Sequence, residues 1–242
     1  SARRLRDLDA PEHVGDQAAR RTLRRLGARR VPTCRVPVIY EAPVASSLLG
    51  HFISAISGGA LYRKASFLLD HLDKKIFPEF VRIHEQPLIM GGMGSAAFDG
   101  EGVATSARDI VSDGILRGYV LGSYSARRLE LQTTGNAGGV HNLTIDTGDQ
   151  NLEQMISGID EGFLVTELIG FGINNVTGDY SRGAAGLWIE NGEIAYPVEE
   201  VTVAGNLKDI FQNIAAIGND VDPRRSTRCG SILVEGLTIA GD

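Results

Sequence analysis

The sequence predicts an α+β fold built mainly from antiparallel β-sheets with several packed helices. Two dipeptides, Asp113-Gly114 and Asn191-Gly192, each separate two runs of strand-forming residues. Both dipeptides favour the positive φ values of a tight hairpin turn. The helical patterns stand among the strands rather than alternating with them, which argues against a parallel sheet built from βαβ units. An apolar content of 43% over 242 residues is sufficient to bury a core.

The first third of the chain predicts two helices with a short strand between them. The first helix runs from Pro11 to Leu26, and the strand runs from Val36 to Tyr40. The second helix has Pro43 in its first turn and ends at Gly58-Gly59. Its apolar residues form the stripe of an amphipathic helix, and they are Val44, Leu48, Leu49, Phe52, Ile53 and Ile56. The segment from Leu61 to Ile76 fits either a helix or irregular structure.

Strands and glycine turns dominate from Phe80 onward. One hairpin joins Val103 to Val111 with Ile115 to Leu121, and a second joins Trp188 to Glu190 with Glu193 to Tyr196. The pair His84-Glu85 falls on a predicted loop. The other predicted elements are a strand at Leu143 to Ile145, a helix near Leu152 to Ile159, a buried strand at Phe163 to Ile169, a helix from Leu207 to Ile217 capped by Asn206, and a final strand from Ser231 to Ile239.

The charge is distributed unevenly along the chain. Residues 1–35 hold ten arginines against four acidic residues and carry a charge of +6, whereas residues 36–242 carry −12. We interpret residues 1–35 as a basic helical segment, the tail of a missing amino-terminal region, and residues 36–242 as the main domain. No aromatic residues are interleaved with the arginines, so we expect a solvated or partner-facing helix rather than binding to nucleic acid.

Composition also predicts the compartment. Two cysteines, Cys34 and Cys229, are too few for a disulfide framework or a cysteine-rich zinc site. The sequence has neither a signal peptide nor an apolar run long enough to span a membrane. We therefore expect a cytoplasmic protein that does not bind membranes.

The second predicted helix carries the polar residues of a candidate site. Ser46, Ser47 and His51 lie on it, and Glu41 precedes it. A serine hydrolase would use a serine, a histidine and an acid of this kind, but no nucleophile elbow surrounds either serine. The pair His84-Glu85 could also supply a base or a metal ligand. Zinc sites use at least three protein ligands, and His13, His71 and His141 have no acidic or cysteine neighbours at the spacing of such a set.

Several longer motifs together resemble the TldD/PmbA metallopeptidase family, and within it the PmbA branch, also called TldE. The resemblance covers most of the chain from Pro37 to Asp242 and represents the carboxy-terminal half of the family's chain. The motifs are Glu41 to His51, Ser57 to Lys64, Phe98 to Gly102, Thr177 to Ser181, Trp188 to Val198 and Val234 to Gly241.

The resemblance implies a cytosolic peptidase of two subunits. In the family, a TldD-type subunit binds zinc with a His-Glu-x-x-x-His helix and a later cysteine, and a TldE-type subunit is its partner. On this chain that motif falls on Ser46, Ser47 and His51, so serines replace the first ligand and the catalytic glutamate. Cys229 does not lie in the loop where the resemblance would place the ligand cysteine. We therefore expect no catalytic residue, cofactor or metal in this chain, and zinc in a TldD-like partner.

Three functional hypotheses remain open from the sequence. The first is a non-catalytic TldE-like subunit that pairs with a TldD-like chain to process unfolded or short peptides. The second is an autonomous hydrolase that uses Ser46 or Ser47, His51 and Glu41, or His84-Glu85 with a metal. The third is a binding module without peptidase activity.

Overall fold

The computed structural model describes residues 1–241. A 3₁₀ turn, Leu5–Asp7, precedes the regular elements. In chain order these are α1 (Pro11–Leu23), β1 (Cys34–Tyr40), α2 (Ala42–Ala55), α3 (Gly58–Tyr62), β2 (Ile83–Glu85), β3 (Arg108–Ser112), β4 (Ile115–Leu116), α4 (Ser123–Arg128), β5 (Leu143–Ile145), α5 (Leu152–Ser157), β6 (Glu161–Ile169), β7 (Asp179–Glu190), β8 (Glu193–Asn206), α6 (Leu207–Gln212), β9 (Ile214–Ile217) and β10 (Ile232–Ala240).

The larger sheet closes on itself. Its strand order is β1-β6-β7-β8-β10-β9, and β1 also pairs with β10. Strand β1 is parallel to β6, whereas the other pairings of this sheet within residues 1–241 are antiparallel. A second sheet has the antiparallel order β4-β3-β2-β5. The prediction of an α+β fold with mainly antiparallel sheets is confirmed.

Helix α2 packs into the main core. Alternate residues of β1, such as Val38 and Tyr40, belong to this core together with one face of α2, while Ile39 points to the opposite side of the sheet. The buried residues of α2 are Ala42, Ala45, Leu48, Leu49, Phe52 and Ala55. On the opposite side, α5 covers a smaller apolar cluster that contains Ile39. The predicted amphipathic helix is therefore present, and its apolar stripe faces the sheet.

The basic segment is attached to the main domain by ion pairs, by backbone hydrogen bonds of Arg29 to Pro197 and Glu199, and by the buried side chain of Val31. None of the residues of α1, all of which the structure describes, is buried, and Val14 and Leu23 remain exposed. Arginine–glutamate ion pairs join the segment to the domain, and within residues 1–241 they include Arg21–Glu41, Arg24–Glu41, Arg25–Glu167 and Arg30–Glu200. Part of the positive charge of residues 1–35 is thus neutralised by acids of the domain.

Both predicted hairpins are confirmed. Their turn residues have positive φ, with values of 54° and 72° for Asp113 and Gly114 and of 51° and 78° for Asn191 and Gly192. The first hairpin is shorter than predicted, because only β3 and β4 form its ladder. The second is longer, since β7 and β8 continue to pair as far as Asp179 and Asn206.

The predicted helix from Leu207 to Ile217 is wrong in its second half. Asn206 caps α6 as expected, and its side chain accepts a hydrogen bond from the Lys208 N–H at 3.0 Å. The helix ends at Gln212, however, and Ile214–Ile217 forms β9. Strand β9 pairs with β10, with Ile217 opposite Ile232. The distant strand offers backbone partners that the local apolar spacing did not reveal.

Two other element predictions are corrected, and one segment that the sequence left open is resolved. Helix α2 ends at Ala55, and Gly58-Gly59 begins α3, whose first turn is capped by Ser57. The pair His84-Glu85 lies in β2 rather than in a loop, because β3 and β5 pair with it on both sides. The segment from Leu61 to Ile76, left open by the sequence, is mostly turns after the end of α3.

The close approach of β6 and β7 depends on a glycine. A Cβ at Gly186 would overlap the carbonyl oxygen of Leu164, whereas a Cβ at Gly183 on the same strand would meet Ile169 at an ordinary 3.5 Å. We expect Gly186→Ala to lower the free energy of unfolding by about 2 kcal/mol or more, as overpacked cores do.

Denaturation by urea measures this difference, with Gly183→Ala as the matched control. The control should change the free energy of unfolding by less than about 0.5 kcal/mol. Equal effects of the two substitutions would contradict the packing described for Gly186.

Candidate functional site

Helix α2 positions the three polar residues of the candidate site. Pro43 stands in its first turn and Glu41 is its N-cap residue. Ser47 and His51 are four residues apart and share one face of the helix. Ser46 lies beside them, and its hydroxyl donates a hydrogen bond to the Pro43 carbonyl at 3.2 Å. The structure thus brings Ser46, Ser47 and His51 to one side of α2.

A cluster of buried polar atoms without partners surrounds this face. Within residues 1–241, six buried side-chain nitrogen or oxygen atoms have no hydrogen-bond partner. Five of them belong to what we call the α2 polar cluster, and they are Tyr40 Oη, Ser47 Oγ, His51 Nε2, Tyr180 Oη and Arg182 Nε. A buried polar group left unpaired costs about 1–3 kcal/mol, so such a concentration is unusual for a purely structural core.

The members of the α2 polar cluster come from three elements. Tyr40 ends β1 immediately before the helix, and Tyr180 and Arg182 lie on β7. The His51 ring packs edge-on against Tyr180, with 6.1 Å between ring centroids. The hydroxyls of Tyr40 and Tyr180 shift each other's pKa but do not form a hydrogen bond of regular geometry. Strands β1 and β7 therefore form the floor beneath the polar face of α2.

Burial controls the charge of the cluster. Burial lowers the pKa of His51, and the positive charge of Arg182 lowers it further. Burial likewise raises the pKa of Tyr40 and of Tyr180. The imidazole and both phenols are therefore neutral near pH 7. None of the five members of the cluster is a carboxylate that could act as a general base.

Glu41 is engaged elsewhere. Its carboxylate accepts hydrogen bonds from Arg24 at 2.9 and 3.1 Å and lies 3.8 Å from Arg21. These arginines belong to the amino-terminal segment. Neither serine hydroxyl is hydrogen-bonded to His51. A serine nucleophile requires such a bond to its base, and the base requires an acid to orient it. The arrangement of a serine hydrolase is thus not assembled around α2.

The donors near α2 do not fit a zinc ion. Zinc sites use at least three protein ligands, and no group of three or more His, Cys, Asp or Glu side chains in residues 1–241 could hold a metal ion. His51 is the one imidazole at the positions that the resemblance assigned to the metal helix. The serines at the other two positions are neutral hydroxyls.

Cys229 lies closer to α2 than its place in the sequence indicates. Its thiol donates a weak hydrogen bond to the Ala42 carbonyl, with 3.7 Å between Sγ and O, in the first turn of the helix. Burial raises the pKa of Cys229 to about 12, and the negative charges of Asp222 and Asp220 contribute. The thiol is therefore protonated at neutral pH, and the thiolate that would bind a metal is disfavoured.

His84 and Glu85 perform a structural task. Glu85 is 1% exposed, and its carboxylate accepts hydrogen bonds from Arg108 at 2.7 Å, from Asn136 at 3.0 and 3.1 Å and from the His141 N–H at 2.9 Å. His84 Nε2 lies 3.0 Å from Asp146. Glu85 thus anchors the loop of residues 135–141, and both of its carboxylate oxygens accept hydrogen bonds from these partners. Sequence reasoning missed this network because its members are up to 56 residues apart.

A cavity opens beside the serine face of α2. Its volume is about 550 Å³, and its lining includes Ser46, Ser47, Met93 and residues 224–227. Another cavity, of about 600 Å³, lies at the far end of the helix and includes Ser54, Tyr62 and Tyr124. Ser46 and Ser47 thus border one cavity and Ser54 borders the other, whereas His51 lines neither of them.

A comparison with protein families decides where this fold belongs. A family model described as the PmbA/TldA metallopeptidase C-terminal domain matches residues 33–241. The chain belongs to this family. The resemblance inferred from the sequence motifs is thus confirmed.

No helix in the described part of the chain is long and apolar enough to cross a membrane.

Relatives with curated names support the PmbA branch. Metalloprotease PmbA of Escherichia coli O157:H7 is 52% identical over 239 residues, which are 99% of this chain and 53% of that protein. The metalloprotease PmbA homolog of Haemophilus influenzae is 44% identical and matches 100% of this chain and 54% of its own length. The chain therefore spans about half the length of the curated relatives it matches.

Solved structures share the fold. A crystal structure from Bacteroides thetaiotaomicron, described as a candidate modulator of DNA gyrase, has a TM-score of 0.95 at 35% identity and covers 100% of this chain and 55% of that one. TldE from Thermococcus kodakarensis has a TM-score of 0.83 at 25% identity and covers 95% of this chain and 55% of that one. The architecture is thus that of the PmbA/TldD fold.

The lowered pKa of His51 predicts a contribution to the pH dependence of stability. The folded protein holds this pKa below its value in the unfolded chain, so the unfolded chain binds more protons once the pH falls through its ordinary value. Stability from this source is present above that pH and is lost as the pH falls. His51→Gln removes the titration, so the variant should lose less unfolding free energy between about pH 7 and about pH 5.

Urea denaturation at each pH measures this loss. His13→Gln, on the exposed helix α1, is the control and should keep the pH dependence of the unsubstituted chain. The same pH dependence in His51→Gln would show that His51 does not titrate differently on folding.

Proposed function

We propose that this chain is a TldE-type subunit of a two-subunit zinc metallopeptidase and that it does not itself carry the catalytic zinc. The observation that carries the proposal is the pair Ser46 and Ser47 at positions where the metal helix needs an imidazole ligand and a carboxylate. Membership in the PmbA/TldA family supports a role in proteolysis, and the likeness to TldE supports the branch.

The chemistry of zinc peptidases supports this division of labour. The metal lowers the pKa of its bound water, and a carboxylate base takes the proton as that water attacks the peptide carbonyl. The α2 polar cluster offers a neutral imidazole, hydroxyls and a guanidinium, none of which can take that proton efficiently at neutral pH. A TldD-like partner with an intact His-Glu-x-x-x-His helix would supply both the zinc and the base.

The same proposal covers the substrate and the compartment. Unfolded or short peptides are the substrates expected of the complex, and the cytoplasm is its expected location. The ion pairs between residues 1–35 and the domain, such as Arg24–Glu41, support a protein-facing role for the basic segment rather than binding to nucleic acid.

Reconstitution tests the catalytic division. We expect the full-length protein alone to cleave unfolded peptides only at a background rate. Addition of a TldD-type chain should raise the rate by at least ~100-fold, because that chain supplies the zinc that activates the attacking water. His51→Ala in this chain should retain that activity within about threefold, because His51 binds no metal.

The matched control substitutes the first histidine of the partner's motif and should abolish cleavage. Cleavage by this protein in the absence of any partner would refute the proposal, and so would a loss in His51→Ala as large as that in the partner variant, provided that the complex still forms.

Metal content provides an independent prediction. After purification in the presence of zinc and removal of weakly bound ions, the separated TldE-type protein should contain far less than one zinc per chain, since it has no group of three ligands. The partner should contain zinc in a one-to-one ratio. Elemental analysis of each separated subunit measures both values, and stoichiometric zinc in this protein would contradict the ligand set described for α2.

A further inference from the structure

The cavity beside the serine face of α2 has the lining of an anion site. Its lining includes two arginines and five residues with hydroxyl groups, and these are Arg224, Arg225, Ser1, Ser46, Ser47, Ser226 and Thr227. No carboxylate among the described residues belongs to its lining. This lining offers hydrogen-bond donors and positive charge to an anion. None of its side chains carries a negative charge that would repel the anion.

The two arginines differ in their engagement. Arg224 is held by Asp222, with Nε and Nη2 at 2.7 and 2.8 Å from the two carboxylate oxygens. Arg225 is exposed and its positive charge helps to lower the pKa of Asp222, but it forms neither an ion pair nor a hydrogen bond with any residue from 1 to 241. Its guanidinium is therefore available to a ligand, whereas Arg224 and Asp222 shape the loop that presents it.

The serine face adds a second, independent observation. Ser47 lines the cavity, and its Oγ is buried and has no hydrogen-bond partner among residues 1–241. The hydroxyls of Tyr40 and Tyr180 in the same α2 polar cluster also have no partner within residues 1–241, and these residues are 0% and 1% exposed. A rotation of the Ser47 side chain toward the cavity would give its hydroxyl an acceptor when an oxyanion is bound there, which offsets part of its burial cost.

The rim of the cavity favours a peptide over a small inorganic ion. Met93 lines the cavity and is 38% exposed. The same loop exposes Leu88 and Met90, which are 71% and 89% exposed. Flexible methionine and leucine side chains accommodate varied apolar residues. A carboxylate with an apolar side chain beside it is the chemistry of a peptide's last residue, and its capture is an established mode of peptide recognition.

We propose that this cavity binds the C-terminal carboxylate of a peptide, with Arg225 as its cation and Ser47 as a hydroxyl donor. The inference rests on the proposed role in peptide processing and assigns to this chain the positioning of the substrate. A planar guanidinium matches a carboxylate with two parallel hydrogen bonds. The serines that replace a metal ligand and a base would then belong to a binding site for the same class of substrate.

Fluorescence anisotropy with the full-length protein tests the proposal. The probes are two short labelled peptides of identical sequence with an apolar last residue, one with a free carboxylate and one with a terminal amide. We expect the free acid to bind at least about tenfold more tightly, the range of a charge-assisted hydrogen bond. Arg225→Gln should lower the affinity for the free-acid peptide by about tenfold or more and leave the affinity for the amide peptide unchanged.

Arg128→Gln, on the exposed surface of α4, is the matched control and should change neither affinity. Ser47→Ala is a second variant and should lower the affinity for the free-acid peptide but not the affinity for the amide peptide. Equal binding of acid and amide, or an unchanged affinity in Arg225→Gln, would overturn the proposal. Inorganic phosphate is the third probe, and competition by phosphate as strong as that by the free peptide would mean a general anion site and would also overturn it.

These measurements separate the inference from the proposed function. Binding is measured without a partner and without turnover, so preference for the free acid would stand even if no partner-dependent cleavage were found. Conversely, partner-dependent cleavage with no preference for the free acid would retain the proposed function and remove the carboxylate site.

Discussion

The double pairing of β1 is the constraint on which the rest of the structure depends. Its residues Val38, Ile39 and Tyr40 pair with β6 on one side and with β10 on the other, which closes the sheet. Helix α2 begins two residues after this strand, so its position and direction are set by the closure. The alternation of β1 then places Tyr40 beneath the polar face of α2 and Ile39 against α5.

Local patterns predicted the elements whose stability is decided locally. Asp113-Gly114 and Asn191-Gly192 specify their turns through backbone conformation alone. The apolar stripe of α2 likewise predicts the helix from residues that lie within the helix itself. The pairing of β1 with β10 joins residues about 200 positions apart, and no short-range pattern reports it. The same limit explains Ile214–Ile217, whose helical spacing is overridden by a strand that comes later in the chain.

The residues of the candidate site also fall into those that a local motif predicted and those that only the fold brings together. Ser46, Ser47 and His51 were found because they lie on one helix within a recognisable motif. Tyr40, Tyr180 and Arg182 were missed because three-dimensional proximity, not spacing, makes them part of the site. The only available signal was that Tyr180 falls inside the motif Thr177 to Ser181. Burial then supplies what no sequence can, namely the depressed pKa of His51 and the raised pKa of Tyr40.

The attachment of the amino-terminal segment makes the protein sensitive to ionic strength. Helix α1 buries none of its residues, and the three glutamates that hold the segment by ion pairs belong to the domain. The exposed pairs Arg25–Glu167 and Arg30–Glu200 contribute at most about 1 kcal/mol each, and dissolved salt screens them over distances of about 10 Å, whereas Glu41 is buried and its pair with Arg24 is screened less. In concentrated salt the exposed ion pairs weaken and α1 is held less tightly, whereas salt does not screen the apolar burial that stabilises the closed sheet. Protease cleavage confined to the first turns of the chain would be the visible sign of that loosening.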